Sequence, residues 1–289
     1  MIAPDRPRRS VLYLPASNAR AIEKARGIPA DVIVLDLEDA VAPEAKNEAR
    51  AAAVAAVRAG GFGRREVAIR ANGLETPWGA DDLAAIATTG ADAVVMPKVS
   101  TVGDIMSCEA ALAAAPRGLQ LWAMIETCAA VGALFELAFL ARTTRLSAWM
   151  VGTNDLAKEM RARLTPERSA FLPILTQAVC AARANGVLIF DGVCNEFRDL
   201  AVFRAEAEQG LVLGFDGKTL IHPDQVEPCN AVFSPSEDEL AAAQAIIAGF
   251  ALPENAGKGV IKVQGKMVEL LHLEQARRLV AMAEQITAG

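Results

Sequence analysis

At 289 residues the chain has room for one large α/β domain or two small ones, since single barrels reach this length. Its formal net charge of −6 argues against a general nucleic-acid binder. The 53% of apolar residues, many of them Ala spread among Arg and Glu, fall in no run long enough to cross a membrane. The N-terminal stretch "MIAPDRPRRSVLYLPAS" lacks the long apolar region of a signal peptide. Five cysteines (Cys108, Cys128, Cys180, Cys194, Cys229), odd in number and without a C-x-x-C pair, fit a reduced, cytoplasmic setting.

In chain order, short β-rich runs recur: "SVLYLP", "DVIVLDLED", "EVAIRAN", "DAVVMPKV", "LQLWAMIE", "SAWMVGTND", "GVLIFDGV" and "GFDGKTLIHP". Each is followed by an Ala-rich segment with helical spacing, such as "EARAAAVAAVRAGG", and no Pro/Ser/Gly-rich linker separates the units. The runs are continuous rather than alternating, as suits parallel strands covered by helices on one side and by a packed interior on the other. Eight of them predict an α/β fold, a (β/α)8 TIM barrel over residues 1–232, rather than a doubly wound sheet. The dinucleotide fingerprint is missing after the first run, where "SVLYLPASNARAIEKA" holds no glycine. "GFDGKT" ends like a P-loop, but Val212 stands where a P-loop needs its first glycine.

Residues 233–289 predict a C-terminal helical extension. Ser236 followed by Glu239 reads as the capping box of a penultimate helix, and Leu273, Ala276, Leu279, Val280 and Ala283 form an apolar stripe on the last one. A stripe left over after a completed barrel needs a surface to cover, and a neighbouring subunit is the expected one.

In such a barrel the chemistry gathers at the C-terminal ends of the strands, so the polar residues that end the apolar runs are the candidates. They are Asp36, Glu38 and Asp39 after the second run, Arg70 and Asn72 after the third, and Lys98 after the fourth. Glu126 ends the fifth, Asn154 and Asp155 the sixth, and Asp191 the seventh. For any one of them a solvated or capping role is the alternative. Glu126 and Asp155 stand about one β/α unit apart, which places them on adjacent strands of one rim. Two carboxylates brought together without protonation need a cation between them, and hard oxygen ligands favour Mg²⁺ completed by water and substrate. The rival is a general acid/base pair of glycosidase type, for which the single Tyr and three Trp supply few aromatic platforms.

Arg70, between "VAI" and "ANG", is expected to reach the same mouth and grip a carboxylate in bidentate fashion. The alternative is an ion pair with Asp36 or Glu38 that stiffens the rim. His222 and His272, the only histidines, have no zinc spacing; His222 is expected to order the loop after the eighth strand and His272 to lie on or near the last helix.

The phrases "RSVLYLPASNARAIEKA", "DVIVLDLEDAVAPEAKNEAR", "IRANGLETPWGADDL", "AVVMPKV", "AMIET", "VGTNDLAKEM", "FDGV", "GFDGKTLIHPDQV" and "GKMVE" occur in this order over nearly the whole length. In that combination the chain resembles a stand-alone member of the citrate lyase β-subunit-like family of the HpcH/HpaI aldolase superfamily. The resemblance implies a TIM barrel that binds Mg²⁺ through Glu126 and Asp155, with Arg70 holding the keto-acid portion of the substrate. It implies making or breaking a carbon–carbon bond in the coenzyme A thioester of a hydroxy acid, and assembly into a homotrimer or hexamer. In related coenzyme A lyases a tail Asp from a neighbouring subunit serves as catalytic acid/base. The matching residue here is Glu269, a departure that keeps the charge on an arm one methylene longer.

The activity so implied is a Mg²⁺-dependent lyase yielding acetyl-CoA and a 2-keto acid, with citramalyl-CoA (giving pyruvate) ahead of malyl-CoA (giving glyoxylate). Glu38 and Asp39 are expected to hold metal-bound waters. Arg20, Lys24 and Lys46 are expected to meet coenzyme A phosphates, although helix-face charges of this kind also occur without a ligand. Alternatives within the enzymes are a malyl-CoA thioesterase and a citryl-thioester lyase with a carrier-bound substrate. An aldolase acting on free hydroxy-keto diacids is disfavoured because "DLEDAV" lacks the His base of that branch. From another class, the chain would be a non-catalytic ligand-binding or assembly subunit, against which the retained Glu126, Asp155 and Arg70 argue.

Overall fold

The computed structural model describes residues 6–288. Eight parallel strands close into a barrel in sequence order, β1 hydrogen-bonding to both β2 and β8. They are β1 (Ser10–Pro15), β2 (Val32–Asp36), β3 (Glu66–Arg70), β4 (Ala93–Met96), β5 (Gln120–Ile125), β6 (Leu146–Val151), β7 (Leu188–Asp191) and β8 (Gly217–Leu220). Each lies inside one of the eight apolar runs, except that β6 begins one residue earlier, at Leu146. Helices α1 (Ala19–Ala25), α2 (Lys46–Ala59), α3 (Gly79–Ile86) and α4 (Val102–Ala111) follow the first four strands. A broken pair, α5 (Cys128–Gly132) and α6 (Leu134–Phe139), follows β5; α7 (Thr153–Met160) and α8 (Leu172–Asn185) follow β6; α9 (Leu200–Leu213) and α10 (Val226–Val232) complete the ring.

Side chains alternate along each strand, and both faces are buried. Val11, Val32, Val34, Ala68, Ala93, Val95, Trp122, Met124, Ala148, Met150 and Phe190 fill the interior, while Leu12, Ile33, Leu35, Ile69, Val94, Leu121 and Trp149 pack outward on the helices. Burial on both faces is why the runs read as continuous rather than alternating.

A charged cluster is buried in the wall itself. Lys218 of β8 is fully buried, its Nζ donating to Asp191 Oδ2 at 2.9 Å, to the Gly192 carbonyl at 2.6 Å and to Glu206 Oε1 of α9 at 2.6 Å. Arg168 Nη1 adds bonds of 2.7 and 2.8 Å to the two Asp191 oxygens. These two cations outweigh the burial of Asp191 and hold its carboxyl below the usual carboxylate range. The Gly-Lys-Thr of "GFDGKT" thus supplies a structural lysine.

The chain divides into two compact units, one of Arg8–Phe233 and one that takes in the chain from Ser234 onward. The second holds α11 (Glu237–Ala251), a hairpin of β9 (Val260–Val263) and β10 (Lys266–Glu269), and α12 (Leu270–Thr287). Ser236 caps α11 in a capping box with Glu239. On α12, Leu273 and Ala276 are buried and Leu279, Val280 and Ala283 half-buried, and the helix packs against α11. The hairpin was not anticipated from sequence; Gln264 and Gly265, at φ 49° and 83°, form its two-residue turn. All five cysteines are free, and no helix among the described residues is long and apolar enough to cross a membrane.

Candidate active site

The alternation that fills the barrel also builds its mouth. On β2, Val32 and Val34 point inward, so the next inward residue is Asp36; on β3, Ala68 is followed by Arg70, and past β5 Met124 is followed by Glu126. These polar residues stand one step above the apolar interior. They open on a cavity of about 360 Å³ whose lining includes Tyr13, Asp36, Arg70, Met124, Glu126, Met150, Gly152 and Asp155.

Glu126 is 1% exposed. One of its oxygens, Oε1, accepts the Lys98 amide at 2.7 Å; the other faces Gly152, where an added Cβ would overlap it. Gly152 is therefore needed for close approach of β6 to this carboxylate rather than for an unusual backbone, its φ being −97°. Burial first, and the neighbouring Glu38 carboxylate second, push the Glu126 carboxyl up to about 7. Asp155 lies in the first turn of α7, half-buried, and among the described residues its carboxylate takes no hydrogen bond or ion pair.

Arg70 is held from below and from the side. Its Nε and Nη2 donate to Asp36 Oδ1 and Oδ2, both at 2.6 Å, and its guanidinium lies 4.9 Å from the Tyr13 ring centre. Nη1 stands 2.8 Å from Glu38 Oε2, 3.6 Å from Asp39 Oδ2 and 3.5 Å from the Met124 sulfur. The bidentate edge expected to grip a substrate carboxylate is thus occupied by Asp36. The rim-stiffening ion pair is the arrangement present, and only Nη1 remains directed elsewhere. Asp36 also accepts the amides of Glu38 and Ala40, which makes it the centre of this corner.

The other sequence-predicted residues are dispersed. Asp39 joins the cavity lining with its side chain mostly exposed, whereas Glu38 is buried behind it, ion-paired to both Arg70 and Lys98. Lys46, expected to meet phosphates, is instead 6% exposed and donates to the carbonyls of Leu37 and Glu38 at 2.8 and 2.7 Å, with the Trp78 ring 5.5 Å away. Its long stem folds inward and its ammonium adds a donor to two carbonyls that also accept from Asn72 Nδ2 and the Val41 amide. Arg20 and Lys24 are exposed on α1, one helical turn apart. Glu269 ends β10 and is exposed, its amide donating to His272 Nδ1 at 2.9 Å. His222 orders the loop after β8, accepting the Asp224 amide at 3.2 Å and stacking on Phe197.

Two of the strand-end candidates are structural: Asn72 is bound to Asp82 and Leu37, and Asp191 sits in the Lys218 cluster. Sequence reasoning missed Tyr13, Met124 and Met150 as lining residues. Their signal was the same inward parity, with the Tyr13 hydroxyl 3.0 Å from the Met150 sulfur.

The donor set suits a hard divalent cation. Among the described residues no group of three His, Cys, Asp or Glu is arranged to hold a metal unaided. Two carboxylates at one cavity meet the needs of Mg²⁺, which keeps several positions for water and substrate. Glu126 supports the fit: a buried carboxylate beside other carboxylates resists ionisation, and a cation at its free oxygen would relieve that.

The chain is 26% identical to the protein CitE from Mycobacterium tuberculosis, solved in complex with magnesium, acetoacetate and coenzyme A, with a TM-score of 0.78 over 96% of this chain and 98% of that one. It is 49% identical over 282 residues, 98% of this chain and 96% of the relative, to a (3S)-malyl-CoA thioesterase from Cereibacter sphaeroides. To an L-malyl-CoA/beta-methylmalyl-CoA lyase from the same species it is 34% identical over 311 residues, 99% of this chain and 97% of the relative. Residues 9–223, nearly the whole barrel, match the family described as HpcH/HpaI aldolase/citrate lyase, and the chain belongs to that family.

Proposed function

We propose that the protein is a Mg²⁺-dependent enzyme of short hydroxyacyl-CoA thioesters and that it hydrolyses (3S)-malyl-CoA to malate and coenzyme A. The observation that carries the substrate class is the pairing of Glu126 and Asp155 on one 360 Å³ cavity beside Arg70, a set of groups suited to a chelating hydroxy acid. The choice of hydrolysis is supported by the 49% identity to the thioesterase over nearly the full length of both chains.

A second reading, supported by the 34% identity to the lyase, is carbon–carbon cleavage to acetyl-CoA and a 2-keto acid. Citramalyl-CoA, the substrate favoured from sequence, belongs to this second reading. Both readings place the protein in the cytoplasm, where coenzyme A thioesters are made.

Glu126 and Asp155 would hold the cation. When bound, it would supply a Lewis acid that stabilises negative charge on oxygens of the acyl group. Arg70, locked in orientation by Asp36 and Tyr13, presents Nη1 to a substrate oxygen, and the ring and thioether surfaces of Tyr13, Met124 and Met150 exclude water beneath it. Glu38 and Asp39 remain candidates for ordering water at the rim.

Hydrolysis needs a base for the attacking water. We assign that role to Glu269, supplied by a neighbouring copy in a trimer or hexamer: its carboxylate takes a proton as the water oxygen bonds to the thioester carbon, and returns it to the departing sulfur. In the lyase direction the same carboxyl would protonate the thioester enolate carbon. Mixing inactive Glu269→Gln and Asp155→Ala proteins, with subunit exchange, is expected to restore activity if the two residues act from different copies.

The deciding assay incubates purified protein, Mg²⁺ and (3S)-malyl-CoA while free thiol and glyoxylate are followed together. Thiol without glyoxylate is the expected result. Glyoxylate without thiol selects the lyase reading, for which citramalyl-CoA and pyruvate form the parallel test. Neither product, from either thioester, would overturn the assignment.

A further inference from the structure

Lys98 touches two of the buried carboxylates of the mouth, Glu126 and Glu38, through two different groups. Its backbone amide donates to Glu126 Oε1 at 2.7 Å, and its Nζ bonds to Glu38 Oε1. It does so from a left-handed backbone, φ 53°, in a turn directly after Pro97 at the end of β4. A turn with proline followed by positive φ ordinarily takes glycine at the second place, because a Cβ there is strained. The strain is held by neighbours. The Ser100 hydroxyl donates to the Lys98 carbonyl at 3.1 Å and pairs at 2.8 Å with the hydroxyl of Thr127, the residue after Glu126, and the Ser100 amide is held by Asp104 at 2.9 Å. A strained residue kept in place by several bonds, with its amide on a buried carboxylate, points to function rather than accident.

We propose that Lys98 is a positioning residue for Glu126. Its amide fixes Oε1, so that Oε2 is the oxygen turned toward Gly152 and the cavity, and its ammonium draws Glu38 aside. The consequence for a cation rests on the Mg²⁺ reading given above; the placement of the Glu126 carboxylate does not.

The two groups of Lys98 act with opposite sign on a cation. Removing the ammonium takes a positive charge away from the site and leaves cation affinity equal or tighter. Removing the amide bond frees the carboxylate and weakens affinity by about tenfold or more, the worth of one hydrogen bond to a charged group. Lys98→Gly and Lys98→Val separate the two, since both lose the ammonium. Glycine keeps the turn, whereas the β-branched valine is driven out of the left-handed region.

Crystal structures of the two variants and Mn²⁺ binding followed by electron paramagnetic resonance make the test. Lys98→Gly is expected to keep the Glu126 side chain in place and to bind Mn²⁺ at least as tightly as the wild type. Lys98→Val is expected to turn Glu126 and to bind about tenfold more weakly. The proposal is overturned if Glu126 stays in place in Lys98→Val with affinity equal to that of Lys98→Gly. Should Lys98→Val fail to fold, Lys98→Gly still decides: loss of the Glu126 rotamer or of Mn²⁺ affinity there, with the amide retained, overturns it. If the wild type binds no Mn²⁺, the metal reading falls, and the Glu126 rotamers alone judge Lys98.

Discussion

Asp36 and Arg70 are register partners at the ends of β2 and β3, and the guanidinium grips the carboxylate through two hydrogen bonds of 2.6 Å. Both are buried, and Arg70 has the Tyr13 ring against its other face. Removing one member of such a pair leaves a buried charge without its counter-ion, which costs about 3–5 kcal/mol. Asp36→Ala is therefore expected to lower the unfolding free energy by that amount, read as a lower denaturant midpoint at unchanged slope. A loss under about 1 kcal/mol would mean that Glu38 and Asp39 already satisfy Arg70.

Glu126 links stability to pH. Its carboxyl, raised to about 7, holds a proton in the folded, cation-free protein over a range where the unfolded chain has released it. A raised folded-state value gives a contribution complete below the unfolded value, near 4.5, and lost as pH rises through about 7. Roughly 3 kcal/mol is at stake. The melting temperature of the cation-free wild type is expected to fall between about pH 5 and about pH 8 more steeply than that of Glu126→Gln, and saturating Mg²⁺ to restore the loss. Parallel curves for the two proteins would refute the burial argument.

Gly152→Ala separates the carboxylate's position from the fold. Backbone strain is not at issue, and the added methyl meets Glu126 first. Overpacking of this kind costs about 1–3 kcal/mol, so the barrel survives while Glu126 is pushed aside. Divalent-cation affinity measured by calorimetry is expected to drop by about tenfold or more, comparable with loss of a charge-assisted contact. Full retention of affinity would place the cation away from Glu126.

How much of this was legible in the sequence depends on how local the determinant is. The eight strands were readable because each is an apolar run bounded by turn residues, and burial on both faces leaves no polar interruption to blur it. The position of Glu126 and Asp155 at the mouth was readable for the same reason, a charge placed where an apolar run stops. Partner choice was not. Arg70 had Asp36 or Glu38 as a partner by sequence, and only the strand register puts Asp36 opposite it.

Lys46 likewise looks like any helix-face cation until the loop before α2 turns two carbonyls toward it. The β9–β10 hairpin escaped because its strands are four residues each and half exposed, although a two-residue Gln-Gly turn between short β-rich pieces was a usable signal. The Lys218 cluster escaped because Arg168 comes from the loop between α7 and α8 and Glu206 from α9.

Asp155 gives the cleanest separation of function from stability. Its carboxylate makes no hydrogen bond or ion pair among the described residues, and what it offers the fold is a negative charge in the first turn of α7, worth about 0.3–1 kcal/mol. Buried residues that matter to the barrel, such as Asp36 and Asp191, are held by several bonds each; a carboxylate left unpaired at a cavity wall has been kept available for something else. Asp155→Ala is thus expected to melt within a few degrees of the wild type and to lose both divalent-cation binding and thioester turnover. Asp155→Asn, which keeps an oxygen donor but not the charge, should recover stability fully and cation affinity only in part. If Asp155→Ala retained cation affinity and turnover, the pairing of Asp155 with Glu126 would have to be given up, and the search for the cation's second ligand would move to Asp39, the remaining exposed carboxylate of the cavity.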